Sequence, residues 1–266
     1  MFCGPSKPLS VDYVVDNWDS IMENDFNKIK RFCQEGIPHL YRPLFWQKLC
    51  SVEPDEYIEL SFLLENYQIE EKTMNQIDLD VDRHFSEEHS ERALVLKRIV
   101  TLYLSLHRNV EYCQAHTPIA FFLLENLKLE SLSFWIFLSI NSNYMLKYFE
   151  NNLTRFKIEC HVLMDLLEKL SPACFACFKE NEIHPTMFCV DWFMCLFTRN
   201  LPKETTLRIF DMFLCEGFKV IFRISIAIIS LTFESLKALN PDKEMMLVNL
   251  RKIPVDVGHE RILIPK

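Results

Sequence analysis

The chain has 266 residues, 49% of them hydrophobic and 25% charged, with a formal net charge of −8. That length is ample for one large domain with its own core, or for two small ones. The acidic balance and the lack of any dense Lys/Arg run argue against nucleic acid as the main partner, since neutralising phosphates needs a basic face. Glycine is scarce: only Gly4, Gly36, Gly217 and Gly258 occur. Folds built from tight positive-φ hairpins are therefore disfavoured. Neither a GxGxxG nor a GxxxxGK[ST] phosphate cradle can be written in this chain. The ten cysteines are scattered, with one CxxC at Cys174–Cys177 in the apolar stretch SPACFACFKE. With no second pair and no suitably spaced His, these read as small buried hydrophobes rather than metal ligands, and the thiols as reduced and intracellular. The N-terminal MFCGPSKPLS has no apolar leader core and no glycine at its second position for myristoylation. The longest apolar run, Ile224–Phe233, is too short to cross a bilayer.

Nearly every stretch has helical period, and prolines fall between the periodic stretches. Residues 1–9 read as a loose tail. Ser10 caps a helix carrying Val11, Val14, Val15, Trp18 and Ile21 on one face, and a second helical piece runs to about Cys33. Gly36 ends it and Pro38 follows. In the next segment Leu40, Leu44 and Phe45 form an apolar stripe, with Trp46 beside it and Arg42 facing elsewhere. A helix is predicted from Pro54 to Glu65, and a clearly amphipathic one over Glu91–His107. Thr117-Pro118 reads as an N-cap followed by proline at the first helical position. Further helices are predicted at 132–140, 143–151, 155–170, 173–180 and Met187–Thr198. Pro202 opens another, Gly217 punctuates it, and a long helix covers 219–238. Pro241 starts one more, ending near Ile253-Pro254. No fixed-period repeat and no low-complexity linker divides the chain. The expectation is an all-α chain: a tail and leading helices over 1–33, one irregular multi-helix domain over 34–254, in one body or two lobes, and a short tail over 255–266.

One stretch carries unusual charge. Ile77–Arg83 reads IDLDVDR, with Ile77, Asp80 and Arg83 at steps of three. On a helical turn those three share a side. Ile77 then anchors the turn, Asp80 holds Arg83 in one rotamer, and Arg83 points outward. A fixed guanidinium with an unspent face can place positive charge on another molecule's phosphate. The plainer alternative is a solvated acidic loop with one compensating Arg.

Four stretches, in order, resemble the TBC domain family of GTPase-activating proteins for Rab-type small GTPases. GIPHLYRPLFWQKL (Gly36–Leu49) resembles its GIPxxLRxxVWxxL opening, and IDLDVDR its IxxDxxR. EYCQAHTPIAFFLL (Glu111–Leu124) resembles GYCQGMNxIAxxLL, and Asp191–Ile229 resembles the block running from WFxxLF through LRIWD to EGxxVLFR. The resemblance implies a Rab GTPase-activating protein. Arg83 is then an arginine finger that stabilises charge on the transferring phosphoryl group, and Gln114 a glutamine finger that orients the attacking water. GTP and Mg²⁺ belong to the partner, a Rab in its GTP-bound form, and the chain holds no cofactor or metal of its own. It completes the partner's active site and does no chemistry on a substrate that it binds itself. The implied setting is vesicle trafficking, cytoplasmic or peripheral on endomembranes through the lipidated GTPase. The alternative is a catalytically weak TBC-like module that binds a Rab as an adaptor or scaffold.

By the same resemblance Asp80 orients Arg83, and Tyr112 is read as packing that sets the Gln114 loop, in preference to touching the partner. Arg42 is read as bonding a carboxylate or helix end inside the domain, in preference to touching the partner. Trp46, Trp192, Phe193, Arg208 and Asp211 read as core with its buried polar pairs, and His161 and His184 as filler. Two flanks depart from the family. Its RTxP is Arg83-His84-Phe85-Ser86 here, which predicts a looser or differently set finger loop. Its Gly after the Gln is Ala115, which is strained if a positive φ is required there and intrudes if the Gly served close approach.

Overall fold

The computed structural model describes residues 10–53, 69–85, 91–236 and 242–253. The predicted helix over 54–65, Ser86, Pro241 and both tails lie outside the described residues. Among the described residues the chain is helical, with no strand. Ser10 caps α1 (Val11–Asp16) through its hydroxyl, which accepts from the Tyr13 N–H at 3.2 Å. The leading helix is broken at Asn17, giving α2 (Trp18–Asn24), and α3 (Phe26–Glu35) ends at Gly36 with φ of 102°. A Cβ built on Gly36 falls 2.7 Å from Arg208 Nε, so both the angle and the space call for glycine.

The helices form two groups. In the first, α4 (Arg42–Leu49), α5 (Glu71–Asp82), α6 (Glu91–Leu106), α7 (His116–Leu127) and α8 (Glu130–Ser139) pack together, with α6 touching α5, α7 and α8. Arg98 forks onto Glu130 at 2.7 and 2.6 Å, pinning α6 to the first turn of α8. The second group holds α9 (Thr154–Leu170), α10 (Pro172–Glu180), α11 (Lys203–Glu216), α12 (Lys219–Leu236) and α13 (Lys243–Arg251). Helix α11 joins the two, packing on α3 and α4 as well as α12. Phe210 of α11 meets Trp46 of α4 at 5.6 Å and Phe122 of α7 at 4.6 Å between ring centroids. Cys174 is buried in α10 and Cys177 half-buried. Among the described residues no helix is long and apolar enough to cross a membrane.

Four sequence expectations need correction. Leu40 is 88% exposed, and it is Arg42, Phe45 and Trp46 that face inward. A 3₁₀ turn at His39–Tyr41 resets the phase before α4, and Asp211 draws Arg42 inside. The expected helix over 143–151 is instead a wide turn at Ile140–Tyr144 followed by non-helical backbone, with Lys147 at φ of 63°. The expected helix Met187–Thr198 is likewise a 3₁₀ turn, a wide turn over Val190–Met194, and left-handed Leu196 and Phe197. Trp192, Phe193, Leu196 and Phe197 are all fully buried, and the positive φ of Leu196 (49°) and Phe197 (63°) is what turns the chain off a helical path there. Finally, α7 begins at His116, so Thr117 lies within its first turn, where its hydroxyl donates to the Gln114 carbonyl at 3.0 Å.

Candidate functional site

Helix α5 is set by its periodicity. Ile77 and Val81 lie one turn apart and are buried against α6 and α7. Asp80 is buried with them, 8% exposed. The helix ends at Arg83, whose backbone is still helical at φ −67° and whose side chain is 61% exposed. A guanidinium at a helix C-terminus is favoured by the negative end of the helix dipole. Arg83 Nη1 donates to Asp80 Oδ1. The other Asp80 oxygen accepts from the Tyr112 hydroxyl at 2.7 Å. Burial and the adjacent Asp80 carboxylate push the Tyr112 phenol well above its ordinary pKa, which keeps it a hydrogen-bond donor.

Tyr112 lies in the loop between α6 and α7, two residues before Gln114. Cys113 and His116 close the loop: the Cys113 N–H donates to the His116 ring at Nδ1, 3.1 Å, and the His116 N–H donates to the Cys113 carbonyl at 3.0 Å. The Gln114 carbonyl is held by Thr117 while its side chain is exposed. His116 is fully buried among the rings of Tyr103, Tyr112, Phe137 and Phe149. That burial lowers its pKa to about 3, so the imidazole is neutral. One carboxylate thus ties the end of α5 to the loop that carries Gln114, and both long polar side chains face solvent. A cleft of about 840 Å³ opens beside Tyr112, between the N-terminal half of α5 and the end of α6.

Arg42 is placed elsewhere. It is 8% exposed, and its Nε donates to both Asp211 oxygens at 3.0 and 3.1 Å. The Trp46 indole N–H and the Ile37 backbone N–H complete that knot at 2.9 and 3.2 Å. Burial raises Asp211 to about 6 while Arg42 pulls it back down. This is the internal role expected of Arg42. The His161 and His184 rings meet with centroids 5.0 Å apart, His161 Nδ1 lying 2.7 Å from the Lys157 carbonyl and His184 Nδ1 accepting from the Thr186 N–H at 3.3 Å.

Residues 39–237 match the family described as the Rab-GTPase-TBC domain. The chain belongs to this family. TBC1 domain family member whacked of Drosophila melanogaster is 33% identical over 229 residues, which cover 82% of this chain and 62% of that protein. TBC1 domain family member 10B of Mus musculus is 30% identical over 264 residues, 93% of this chain and 32% of that protein. The chain therefore spans less than two thirds of the length of these relatives. Two solved structures share the fold at a TM-score of 0.77. The Chlamydomonas flagellar RabGAP TBC domain does so at 20% identity, covering 95% of this chain and 89% of that one. The Ypt/Rab-GAP domain of Gyp1p does so at 16% identity, covering 96% of each.

In this TBC domain the described residues of both altered flanks are accommodated. Ala115 has φ of −66°, an ordinary helical angle, so no glycine is required. Its methyl is buried, with the residue 4% exposed, and does not stand out toward a partner. After Arg83, the His84 ring stacks on Phe121 at 4.6 Å and Phe85 meets the same ring edge-on at 5.5 Å. Of the two expectations, a looser or a differently set finger loop, the second fits His84 and Phe85, which two aromatic contacts hold against α7; Ser86, where the family has Pro, lies outside the described residues. Sequence reasoning missed Phe121 as that clamp. It also missed Arg199, which Asp191 holds at 3.1 Å and whose charge, after burial, helps lower the pKa of His84. The chain positions of these residues, 121 and 199 against 84, leave no local spacing that could have signalled either.

Proposed function

We propose that this TBC domain is a GTPase-activating protein for a Rab-type small GTPase in its GTP-bound form, working with Arg83 and Gln114 in trans. The observation that carries the reading is the shared Asp80. Its buried carboxylate takes Arg83 on one oxygen and Tyr112 on the other, so the guanidinium and the Gln114 loop are referred to one fixed point. Arg83 spends one nitrogen on Asp80 and presents the rest of its fork to solvent. There it neutralises charge growing on the oxygens of the transferring phosphoryl group. Gln114 can accept a hydrogen from the attacking water and donate to a phosphate oxygen, which aligns the water without removing its proton. The loose transition state of GTP hydrolysis needs such positioning and charge rather than a new covalent bond. GTP and Mg²⁺ are carried by the Rab, and the domain meets endomembranes through that lipidated partner, from the cytoplasm, in vesicle trafficking.

The test is phosphate release from a panel of GTP-loaded Rab proteins. The wild-type domain accelerates at least one of them, by about 10³-fold or more for a working finger. Arg83→Ala removes most of the acceleration and Gln114→Ala impairs it. An Arg83→Ala protein as active as wild type on its best Rab refutes the mechanism. GTP-dependent binding with no acceleration across the panel establishes the adaptor role instead.

A further inference from the structure

Helix α5 presents a second face beside the one that packs. Lys72, Gln76, Leu79 and Arg83 follow one another at steps of four, three and four, which places them within a narrow arc on one side of the helix. All four are exposed, while Ile77 and Val81 point away from them into the core and Asp80 lies between the two sides, bonded to Arg83. Lys72 and Gln76 line the 840 Å³ cleft that continues to Tyr112. The stripe therefore runs from that cleft to the Arg83 guanidinium without a break. Leu79 is its anomaly. It is 64% exposed, it stands one turn from Arg83, and its neighbours on this face are polar. Other leucines are as exposed, Leu40 and Leu170 among them, so it is the position of Leu79, one turn from the Arg83 guanidinium, that sets it apart, since covering it there would bury apolar area beside the finger.

We infer that Leu79 is a specificity-determining contact of this domain, which receives an apolar side chain from the Rab surface next to the bound nucleotide. The occupant follows from continuity: whatever brings a phosphate to Arg83 must lie over the turn of helix that precedes it. This inference rests on the Rab partnership proposed above. It assigns partner choice to an apolar contact on the finger helix, and it makes the Lys72–Gln76 end of the stripe the outer rim of the same interface.

The experiment compares wild type, Leu79→Lys, Leu79→Ala and the control Leu170→Lys on the Rab that wild type accelerates best. Leu170 has the same 64% exposure but lies at the end of α9. Two quantities are read: kcat and KM for hydrolysis, and affinity for the same Rab carrying a non-hydrolysable GTP analogue. The expected result is a rise in KM and a loss of analogue affinity of about ten- to hundredfold for Leu79→Lys, the range for one buried leucine. A smaller loss is expected for Leu79→Ala, with kcat within about twofold of wild type for both. Leu170→Lys leaves both quantities unchanged. Unchanged KM and affinity for Leu79→Lys, or a fall in kcat alone, overturns the inference. Because analogue binding needs no hydrolysis, the two readings fail separately. Wild-type catalysis by Arg83→Ala refutes the finger, whereas wild-type binding by Leu79→Lys refutes the contact.

Discussion

Asp80 and Asp211 do the same thing in two parts of this molecule, with opposite results. Each is a buried aspartate that holds an arginine and at least one further donor. Asp211 sits at the junction of α3, α4 and α11, and its arginine is sealed in with it, the Arg42 side chain being 10% exposed. Asp80 sits under the end of α5, and its arginine stands out, 61% exposed. An arginine whose donors are all turned inward can only hold the fold. An arginine gripped by one nitrogen can act on another molecule, because its rotamer is fixed and most of its fork is free. Both arginines fall inside family motifs. Burial, which the motifs do not state, is what tells them apart.

The strongest way to break this comparison is to exchange the two arginines' consequences. Arg83→Ala should cut the domain's stimulation of phosphate release from its Rab by about 10³-fold or more, with a thermal midpoint close to wild type. Arg42→Ala should do the reverse. Leaving Asp211 buried without its cation should cost about 3–5 kcal/mol, read as a thermal midpoint lower by about 10 °C. If Arg42→Ala unfolds like wild type, the knot is not the structural element described here.

The neutral His116 under the Gln114 loop gives a pH test. Its folded pKa is about 3, below the ordinary value of 6.5. Between those values the unfolded chain takes up a proton that the folded one refuses, so stability is complete above pH 6.5 and declines as pH falls toward 3. Asp211 acts in the opposite sense. Its folded pKa, about 6 against 3.8, means that its contribution is complete below 3.8 and is lost as pH rises through 6. The two partly cancel in wild type. His116→Met removes one of them, so the mutant should gain a few kcal/mol on wild type between pH 7 and pH 4, measured by chemical denaturation at each pH. Equal pH slopes for the two proteins would place the cause elsewhere.

Smaller effects sharpen the site itself. Tyr112→Phe keeps the ring and removes only the donor to Asp80, so it should lower kcat by about tenfold while KM stays near wild type. Ala115→Gly should change hydrolysis by less than about twofold and cost about 0.5–1 kcal/mol of stability, since the left-handed angle that favours glycine is not used here. A marked gain in activity from Ala115→Gly would show that the buried methyl does obstruct the partner.

The sequence made the exposed arginine readable and left its support hidden. The steps of three from Ile77 through Asp80 to Arg83 announce a buried anchor, a holder and an outward guanidinium, and the structure keeps that sequence from the core to solvent. The Tyr112–Asp80 bond joins positions 32 apart, and nothing local announces it. Helical period placed most elements correctly, including Glu91–Leu106 and Lys219–Leu236. It failed at Val190–Phe197, where Leu196 and Phe197 take left-handed backbone angles that no spacing of apolar residues announces. It failed also at Leu40, where a short 3₁₀ turn shifts the phase. Deviations from the family pattern looked like damage in the sequence. In the structure His84 and Phe85 find a new support on Phe121, a ring that only the fold brings to them.

The central claim is that Arg83 answers charge on a partner's transferring phosphoryl group, and one binding measurement addresses it without reliance on turnover. The affinity of the domain for its Rab is compared with GDP alone and with GDP plus aluminium fluoride, which mimics that group in flight. The account predicts that the mimic tightens wild-type binding by about 100-fold or more, and that Arg83→Ala loses this gain while binding the GTP-analogue form nearly as well as wild type. An Arg83→Ala protein that keeps the full gain would contradict it.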